Sequence, residues 1–169
     1  IQVHQAELRA CARCPSMIGP VVHGNAVVSP VMLVGQAPGI HEGDIGKPFG
    51  WTAGKRLFQW FSTVGGDEEW FRSHVYISAV CRCFPGKAKG GDRVPSRDEI
   101  SNCASWLSAE LSILKPKLII PVGRLAIEVF LPERPLVDQI GRVEPITRDG
   151  HTFDVIALPH PSGASTWYK

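Results

Sequence analysis

The sequence has no long hydrophobic run, and this absence argues against a protein that spans a membrane. No apolar stretch in its 169 residues approaches the ~20 residues that a membrane-spanning helix needs. No basic and then apolar leader follows Ile1, so we expect no secretory signal. A large excess of one charge is also missing, because the formal net charge is only +2. We therefore expect a cytoplasmic protein with no membrane attachment.

Internal repeats, low-complexity tracts and shifts in composition are absent too, so nothing divides the chain into separate domains. With 44% hydrophobic and 20% charged residues, the composition is typical of a globular protein with an ordinary core. The length suits about one domain, and we expect a single domain over residues 1–169. Since the chain does not begin with methionine and stops soon after a motif-bearing loop, we expect both ends to be trimmed or disordered.

Four short apolar segments alternate with helical patterns, which predicts an α/β fold. The apolar segments lie at residues 31–34, 75–80, 118–122 and 155–158. Helical patterns lie at 52–64, 97–114 and 123–130, the second of them opened by a capping box from Ser96 to Glu99. Strands that alternate with helices form right-handed βαβ units. We therefore expect one three-layer domain with a central, mostly parallel four-stranded sheet and helices on both faces.

Two short loops each follow one of these apolar segments. They are Gly-Gln-Ala-Pro-Gly at 35–39 and His-Pro-Ser-Gly at 160–163. In an open parallel sheet, the loops that leave the carboxyl ends of the strands line the ligand crevice. The sequence therefore predicts that the two loops form two walls of one site, with an amide from Gln36 and an imidazole from His160.

The region from residue 82 to residue 97 is locally basic, with five Lys or Arg against one Asp. Its glycines and prolines predict an exposed loop. From charge alone, a solvated basic loop is the simpler interpretation. Contact with phosphates becomes the better interpretation when other features point to nucleic acid.

The five cysteines do not suggest a disulfide framework, since their number is odd and no leader is seen. Cys11 and Cys14 have the two-residue gap that lets two thiolates grip one metal centre, and Cys83 and Cys103 are predicted to complete the set. A second Cys-x-x-Cys, which a zinc ribbon would show, is missing. The spacing leaves both zinc and a [4Fe–4S] cluster open. Cys81 lies in an apolar run, and we expect it to be buried and not a ligand.

Several motifs follow one another in an order that matches a known family. They are the segment at 35–39 with Gly-Lys-Pro-Phe at 46–49, the cysteine segment at 76–85 with Pro-Ser-Arg-Asp-Glu at 95–99, the strand and turn at 115–124, and His-Pro-Ser at 160–162. Together they resemble the iron–sulfur uracil-DNA glycosylases of families 4 and 5, over nearly the whole chain. The resemblance implies a [4Fe–4S] enzyme that flips uracil, or a related deaminated base, out of DNA and excises it. It also implies a prokaryotic, nucleoid-associated monomer without an obligate protein partner.

The resemblance and the chemistry that excision needs together suggest the catalytic residues. His160 is expected to stabilise the departing base, as an oxyanion hole does. Gln36 stands where family 4 usually has an acidic residue, and it is expected to orient water without taking a proton from it. The candidate bases just downstream are Asp44, which we favour, Glu42 and His41.

Further residues are expected to bind the base and the DNA. Those predicted at the base are Phe49 as the stacking partner, with Gly35, Ala37 and Ala79, and those predicted at the DNA are Pro161, Ser162, Gly163, Lys87 and Lys89. Ala79 stands where family 4 has an asparagine that reads uracil, which resembles family 5. Family 5, however, tends to have alanine in place of Gly39 and no polar residue in place of Gln36, so the chain falls between the two families. We expect either a broader range of deaminated bases or weak excision of uracil. The alternatives are a damaged-DNA-binding module with little turnover and a zinc-stabilised nucleotide-binding protein.

Overall fold

A computed structural model describes residues 1–162, which form seven helices and seven strands. The helices are α1 (Gln2–Arg9), α2 (Glu42–Ile45), α3 (Thr52–Ser62), α4 (Glu68–His74), α5 (Arg97–Leu114), α6 (Arg124–Phe130) and α7 (Leu136–Gln139). The strands are β1 (Val31–Gly35), β2 (Tyr76–Ala79), β3 (Lys87–Ala88), β4 (Gly91–Asp92), β5 (Leu118–Pro121), β6 (Val143–Arg148) and β7 (His151–Ile156). No helix in this part of the chain is long and apolar enough to cross a membrane.

The central sheet has five strands, in the order β2–β1–β5–β7–β6, so the predicted number of four is wrong. The first four pair in parallel, which confirms a mostly parallel sheet. The additional strand, β6, runs antiparallel to β7 at the edge. Its residues alternate between exposed and half-buried positions, so it carries no apolar run. Asp149 and Gly150 both have positive φ in the two-residue turn between β6 and β7, and this Asp-Gly pair is the sequence signal for the hairpin.

The sheet separates two hydrophobic cores, one on each face. Met32 and Val34 of β1 pack into the first core together with Leu107 of α5 and Ile127 of α6. Leu33, between them in sequence, packs into the second core with side chains of α3 and α4. Since successive residues of a strand point to opposite faces, β1 is buried on both sides. The predicted three-layer arrangement is confirmed.

The segment between β2 and α5 contains structure that the sequence pattern does not predict. Within the basic region, β3 and β4 pair as a small antiparallel hairpin. Residues 21–28, expected to be a strand or hairpin arm, form no strand, and Val22 instead donates its N–H to the carbonyl of Arg82 at 2.8 Å. The predicted capping box is present at the start of α5, where Glu99 also pairs with Arg93 at 2.6 Å. These contacts fasten both ends of the hairpin segment.

The parallel strands β1, β2, β5 and β7 direct their carboxyl ends to one edge of the sheet. Backbone hydrogen bonds continue past the strand ends, with Val80 donating to Gly35 and Gly123 donating to Leu158, both at 2.9 Å. The loops that leave the four strands therefore begin from fixed positions. Side chains that follow β1 and β7 meet at this edge with the end of β2, as expected for a parallel α/β sheet.

A buried carboxylate, that of Glu110 on α5, ties this helix to β2, to α1 and to the cysteine segment. It accepts hydrogen bonds from Tyr76 and Ser78, both at 2.7 Å, and from two guanidinium nitrogens of Arg82 at 2.9 and 2.7 Å. His4 Nε2 lies 3.3 Å from the same carboxylate. Glu110 and Arg82 are 0% and 1% exposed. Burial alone would raise the pKa of Glu110, but Arg82, His4 and Tyr76 outweigh it and lower the pKa to about 2.

Replacing this carboxylate is expected to destabilise the fold strongly. In Glu110→Gln, the Arg82 guanidinium stays buried without its counter-charge, and breaking such a pair typically costs about 3–5 kcal/mol. The measurement is the free energy of unfolding from denaturant titration. Since the folded pKa lies below the ordinary value of 4.5, this stabilisation is present above pH 4.5 and is lost as the pH falls toward 2.

A matched control is Glu128→Gln, which removes an exposed carboxylate 3.8 Å from Arg124. Exposed pairs of this kind contribute about 0–1 kcal/mol. Equal effects of the two substitutions at neutral pH would contradict the role given to Glu110.

Candidate active site

A cavity of about 460 Å³ opens at the carboxyl edge of the sheet. Of the residues predicted from the sequence, those that line it are Gly35, Gln36, Ala37, His41, Glu42, Phe49, Ala79, Lys87, His160 and Ser162. They come from the loops after β1, β2 and β7 and from the β3–β4 hairpin. The two motif loops are therefore two walls of one cavity, and the hairpin supplies another wall.

Other predicted residues lie elsewhere. Asp44, the favoured base, lines a neighbouring cavity of about 230 Å³, which shares Val22, Pro38 and Ile40 with the larger one. Lys89 is exposed in the turn of the β3–β4 hairpin, and Pro161 is buried next to His160 without lining the cavity. Gly163 lies outside the described residues. Asp44 thus lines the adjoining cavity and not the one that Gln36, Glu42 and His160 line.

The Phe49 ring covers the end of β1. A Cβ atom added to Gly35 would lie 2.7 Å from this ring, so the close approach requires glycine at that position. Phe49 itself has a φ of 53°, and Arg72 fixes the backbone here by donating to the carbonyls of Pro48 and Phe49, both at 3.0 Å. The aromatic ring is therefore held at the cavity wall by contacts on two sides.

Glu42 is held by the backbone of the loops around it. Its carboxylate oxygens accept hydrogen bonds from the N–H groups of Gly39, at 2.9 Å, and Gly50, at 3.0 Å. The side chain is 9% exposed, and burial raises its pKa even though these N–H groups favour the ionised form. Both oxygens thus connect the loop after β1 to the loop that carries Phe49.

His160 is arranged as a neutral hydrogen-bond donor. Its Nδ1 accepts a hydrogen bond from the backbone N–H of Ser162 at 3.2 Å, which places the ring proton on Nε2. Burial lowers the pKa of His160 below its ordinary value of 6.5. At neutral pH the ring is therefore uncharged and presents an N–H group without a formal positive charge.

Gly123, two residues after β5 and directly before α6, fits the His160 ring closely. A Cβ atom at this position would lie 3.1 Å from the ring and 3.2 Å from the Cβ of His160. Its φ of 84° is also in the region that favours glycine. Sequence reasoning does not single out Gly123, although a glycine directly after a buried strand signals such an approach.

The pKa of His160 is expected to depend on Gly123. In Gly123→Ala, the added methyl group pushes the half-buried imidazole toward solvent, so the pKa rises toward 6.5 as desolvation weakens. An NMR titration of the His160 ring protons measures this change.

Gly141→Ala is the matched control, since Gly141 also has a positive φ, 74°, but has nothing within 4 Å of an added Cβ. Both substitutions carry the same kind of backbone strain. If the pKa of His160 is the same in Gly123→Ala as in the wild type, the ring does not depend on its contact with Gly123.

Asp92 and Trp51 also line the cavity, although the sequence does not single them out as site residues. Asp92 of β4 lines the cavity and pairs with Lys87 of β3 at 2.7 Å. Trp51 also lines it, is 47% exposed and packs against His41 with ring centroids 4.6 Å apart. The sequence signal for Trp51 is its place beside the Gly-Lys-Pro-Phe motif, whereas Asp92 becomes recognisable only once the hairpin is known.

The cysteine thiols lie near one another, and all five are free. Burial and then Cys103, Cys11 and Cys14 raise the pKa of Cys83 to about 11. Burial and then the neighbouring thiols also raise the pKa of Cys14, against a hydrogen bond from Asn102. Mutual repulsion of this kind indicates that the four predicted ligands face a shared space.

Cys103 is the thiol that the surroundings ionise most readily. The Cys81 thiol donates a hydrogen bond to it, and with the Arg82 N–H this lowers the pKa of Cys103 to about 6 against the effect of burial. Cys81 is buried, as predicted, but it lies against Cys103. Among residues 1–162, no three Cys, His, Asp or Glu side chains are arranged to hold a single metal ion. The donor set nevertheless fits a thiolate-ligated group, because ligation removes the repulsion among the thiolates.

Comparison with known proteins agrees with this architecture. A family model for the uracil DNA glycosylase superfamily matches residues 21–169. A type-4 uracil-DNA glycosylase of Archaeoglobus fulgidus is 31% identical, over 78% of this chain and 65% of its own length. A type-4 relative from Thermotoga maritima is 27% identical, over 96% of this chain and 81% of its own.

A type-5 uracil-DNA glycosylase of Pyrobaculum aerophilum is 27% identical, over 69% of this chain and 62% of its own length. The chain thus spans less than two thirds of the Archaeoglobus and Pyrobaculum relatives. Because the family model covers most of its residues, the chain belongs to the uracil DNA glycosylase superfamily.

Proposed function

We propose that this chain is a DNA glycosylase that flips uracil, or a related deaminated base, out of DNA and hydrolyses its glycosidic bond. The observation that carries the proposal is the single cavity lined by Gln36, Phe49, Ala79 and His160 at the ends of the parallel strands. Membership of the superfamily and the names of the type-4 and type-5 relatives support it.

Recognition begins when the base leaves the stack and enters the cavity. Enzymes that act on a base extrude it into a pocket and stack it on aromatic side chains. Phe49 is the stacking partner, and Gly35 and Ala37 leave room beside it. Ala79 offers no amide to read the edge of the base, which favours acceptance of several deaminated bases.

Bond cleavage leaves negative charge on the departing base. His160 donates from Nε2 to the base oxygen that gains this charge, and the hydrogen bond strengthens as the bond breaks. A neutral imidazole suits this role, and the Ser162 N–H at Nδ1 holds the required tautomer. Gln36 orients water at the sugar carbon, and Glu42 keeps the neighbouring loops in place.

The remaining DNA contacts come from two segments. Lys87 and Lys89 on the hairpin attract the phosphate backbone. The segment from Pro161 through Ser162 to Gly163 enters the minor groove and fills the space that the flipped base leaves. The protein acts as a monomer, without an obligate protein partner, on DNA in a prokaryotic cytoplasm.

Cys11, Cys14, Cys83 and Cys103 hold a [4Fe–4S] cluster in this proposal. The cluster supplies a structural brace, since ligation adds directly to the folding free energy. It fastens the N-terminal segment to α5 and frames the hairpin segment between its last two ligands. Cys81 packs against Cys103 without acting as a ligand.

The ligand assignment predicts a difference between two cysteine variants. Cys103→Ser should lose the brown colour of the cluster and unfold at a lower temperature, whereas Cys81→Ser should keep both colour and fold. Visible absorbance, iron content and thermal unfolding measure the outcome. Loss of the cluster in Cys81→Ser with retention in Cys83→Ser would reverse the assignment, and a colourless wild type that contains zinc would support the zinc alternative.

A second candidate function is a damaged-DNA-binding module with little turnover. It is favoured by Gln36, which stands where family 4 usually has an acidic residue and is unable to accept a proton from water. A single-turnover assay on a uracil-containing oligonucleotide separates the two functions. Binding without an abasic product supports the module, whereas formation of an abasic product supports the enzyme.

Truncation of His160 is expected to affect the chemical step and not binding. Removing one donor to a developing oxyanion typically lowers the rate by about 10²–10³-fold. His160→Ala should therefore slow single-turnover excision by this factor and leave the affinity for the oligonucleotide nearly unchanged. His74→Ala, at an exposed histidine on α4, is the control. An unchanged rate in His160→Ala would overturn the catalytic role of the C-terminal loop.

A further inference from the structure

Hydrolysis at this cavity needs a group that takes a proton from the attacking water. The amide of Gln36 orients water but has no basic atom of the required strength. Among the described residues that line the cavity, the carboxylates are those of Glu42 and Asp92. Asp44 lies in the neighbouring cavity instead.

Glu42 is poorly placed for this task. Both of its oxygens accept backbone N–H groups, from Gly39 and Gly50, and its side chain is 9% exposed. With only 9% of the side chain exposed, little of either oxygen is open to a water molecule. The two oxygens instead fasten the loop that carries Gln36 to the loop that carries Phe49.

Asp92 has the opposite arrangement. Its Oδ1 accepts a hydrogen bond from Lys87 Nζ at 2.7 Å across the β3–β4 hairpin. Its Oδ2 makes no hydrogen bond to another described residue and faces the loop after β1, where a Cβ added to Gly39 would lie 3.3 Å from it. One oxygen is thus held by an ion pair and the other is available at the cavity wall, beside the loop that carries Gln36.

From this geometry we propose that Asp92 is the carboxylate that binds and deprotonates the hydrolytic water, with Gln36 as the second group that orients it. The proposal rests on the proposed glycosylase function. It places the basic group on the hairpin instead of on the loop after β1. Lys87 then has two roles, because it orients the carboxylate of Asp92 as well as attracting phosphate.

The proposed step balances without any further reactant. The bond between the sugar C1′ and the base nitrogen breaks, and its electron pair leaves with the base as an anion that His160 stabilises. The water oxygen bonds to C1′, and its proton passes to Asp92 Oδ2. The products are an abasic sugar with a hydroxyl at C1′ and the free base, which receives its proton afterwards.

The test compares variants by their single-turnover excision rates and by their affinities for the same uracil-containing oligonucleotide. Asp92→Asn keeps the size of the side chain and removes the basic oxygen, so the rate should fall by about 100-fold or more without weaker binding. Asp92→Glu should retain part of the rate. Added formate should partly restore the rate of Asp92→Ala, which a merely structural residue would not allow.

Two further variants isolate the role of the carboxylate. Lys87→Met breaks the same ion pair but keeps Asp92, so at saturating enzyme its rate should fall much less than that of Asp92→Asn. Asp149→Asn, in the exposed β6–β7 turn, removes a carboxylate outside the cavity and should have no effect.

Each remaining outcome overturns the inference. Equal losses in Lys87→Met and Asp92→Asn would mean that Asp92 only holds the hairpin. Loss of rate in Asp44→Asn with full activity in Asp92→Asn would assign the base to the neighbouring cavity. A wild type that excises no uracil would overturn the proposed function itself, whereas an active wild type matched by Asp92→Asn would overturn this inference alone.

Discussion

The buried charge of Glu110 is the constraint on which the arrangement of the site depends. A buried carboxylate is stable only when a positive charge lies next to it and its oxygens accept hydrogen bonds. Here Arg82 supplies the charge, and Arg82, Tyr76 and Ser78 donate the hydrogen bonds. Arg82 lies between Cys81 and Cys83, and Ser78 directly precedes Ala79. The same carboxylate therefore fixes the end of β2 at the candidate base pocket and the start of the cysteine segment. The candidate base pocket and the cysteine segment are therefore both held in place by Glu110.

The hairpin segment is fastened at both ends, and this explains how a short exposed structure forms a wall. Two-stranded hairpins are marginal on their own. Upstream, the backbones of Ile18 and Phe84 pair as an isolated bridge, with hydrogen bonds of 2.8 and 2.9 Å. Downstream, Arg93 pairs with Glu99, which also accepts a hydrogen bond from Ser16. The N-terminal segment thus holds the hairpin from both sides, and the proposed metal ligands lie in the same segments.

Much of the fold could be predicted from the sequence, because buried parallel strands carry continuous apolar runs. The two motif loops could also be located, since the carboxyl ends of such strands meet at one edge. The edge strand β6 was not predicted because it faces partly to solvent and has no apolar run, although Asp149 and Gly150 indicate the turn that follows it. The hydrogen-bond partners of individual side chains could not be predicted from the sequence. Nothing local indicates that Glu42 is held by two backbone N–H groups or that Asp92 reaches the loop of Gln36.

The position of the hairpin links the proposed cluster to the proposed chemistry without any electron transfer. Phe49 is held by Arg72 and Gly35, and His160 by Gly123 and Ser162, so neither depends directly on the cysteine segment. Lys87 and Asp92 do depend on it, because they lie between Cys83 and Cys103. Loss of the proposed cluster would therefore loosen the wall to which we assign phosphate and water, while the walls to which we assign the base remain. In the proposed enzyme, metal ligation would accordingly act on catalysis through the position of the hairpin.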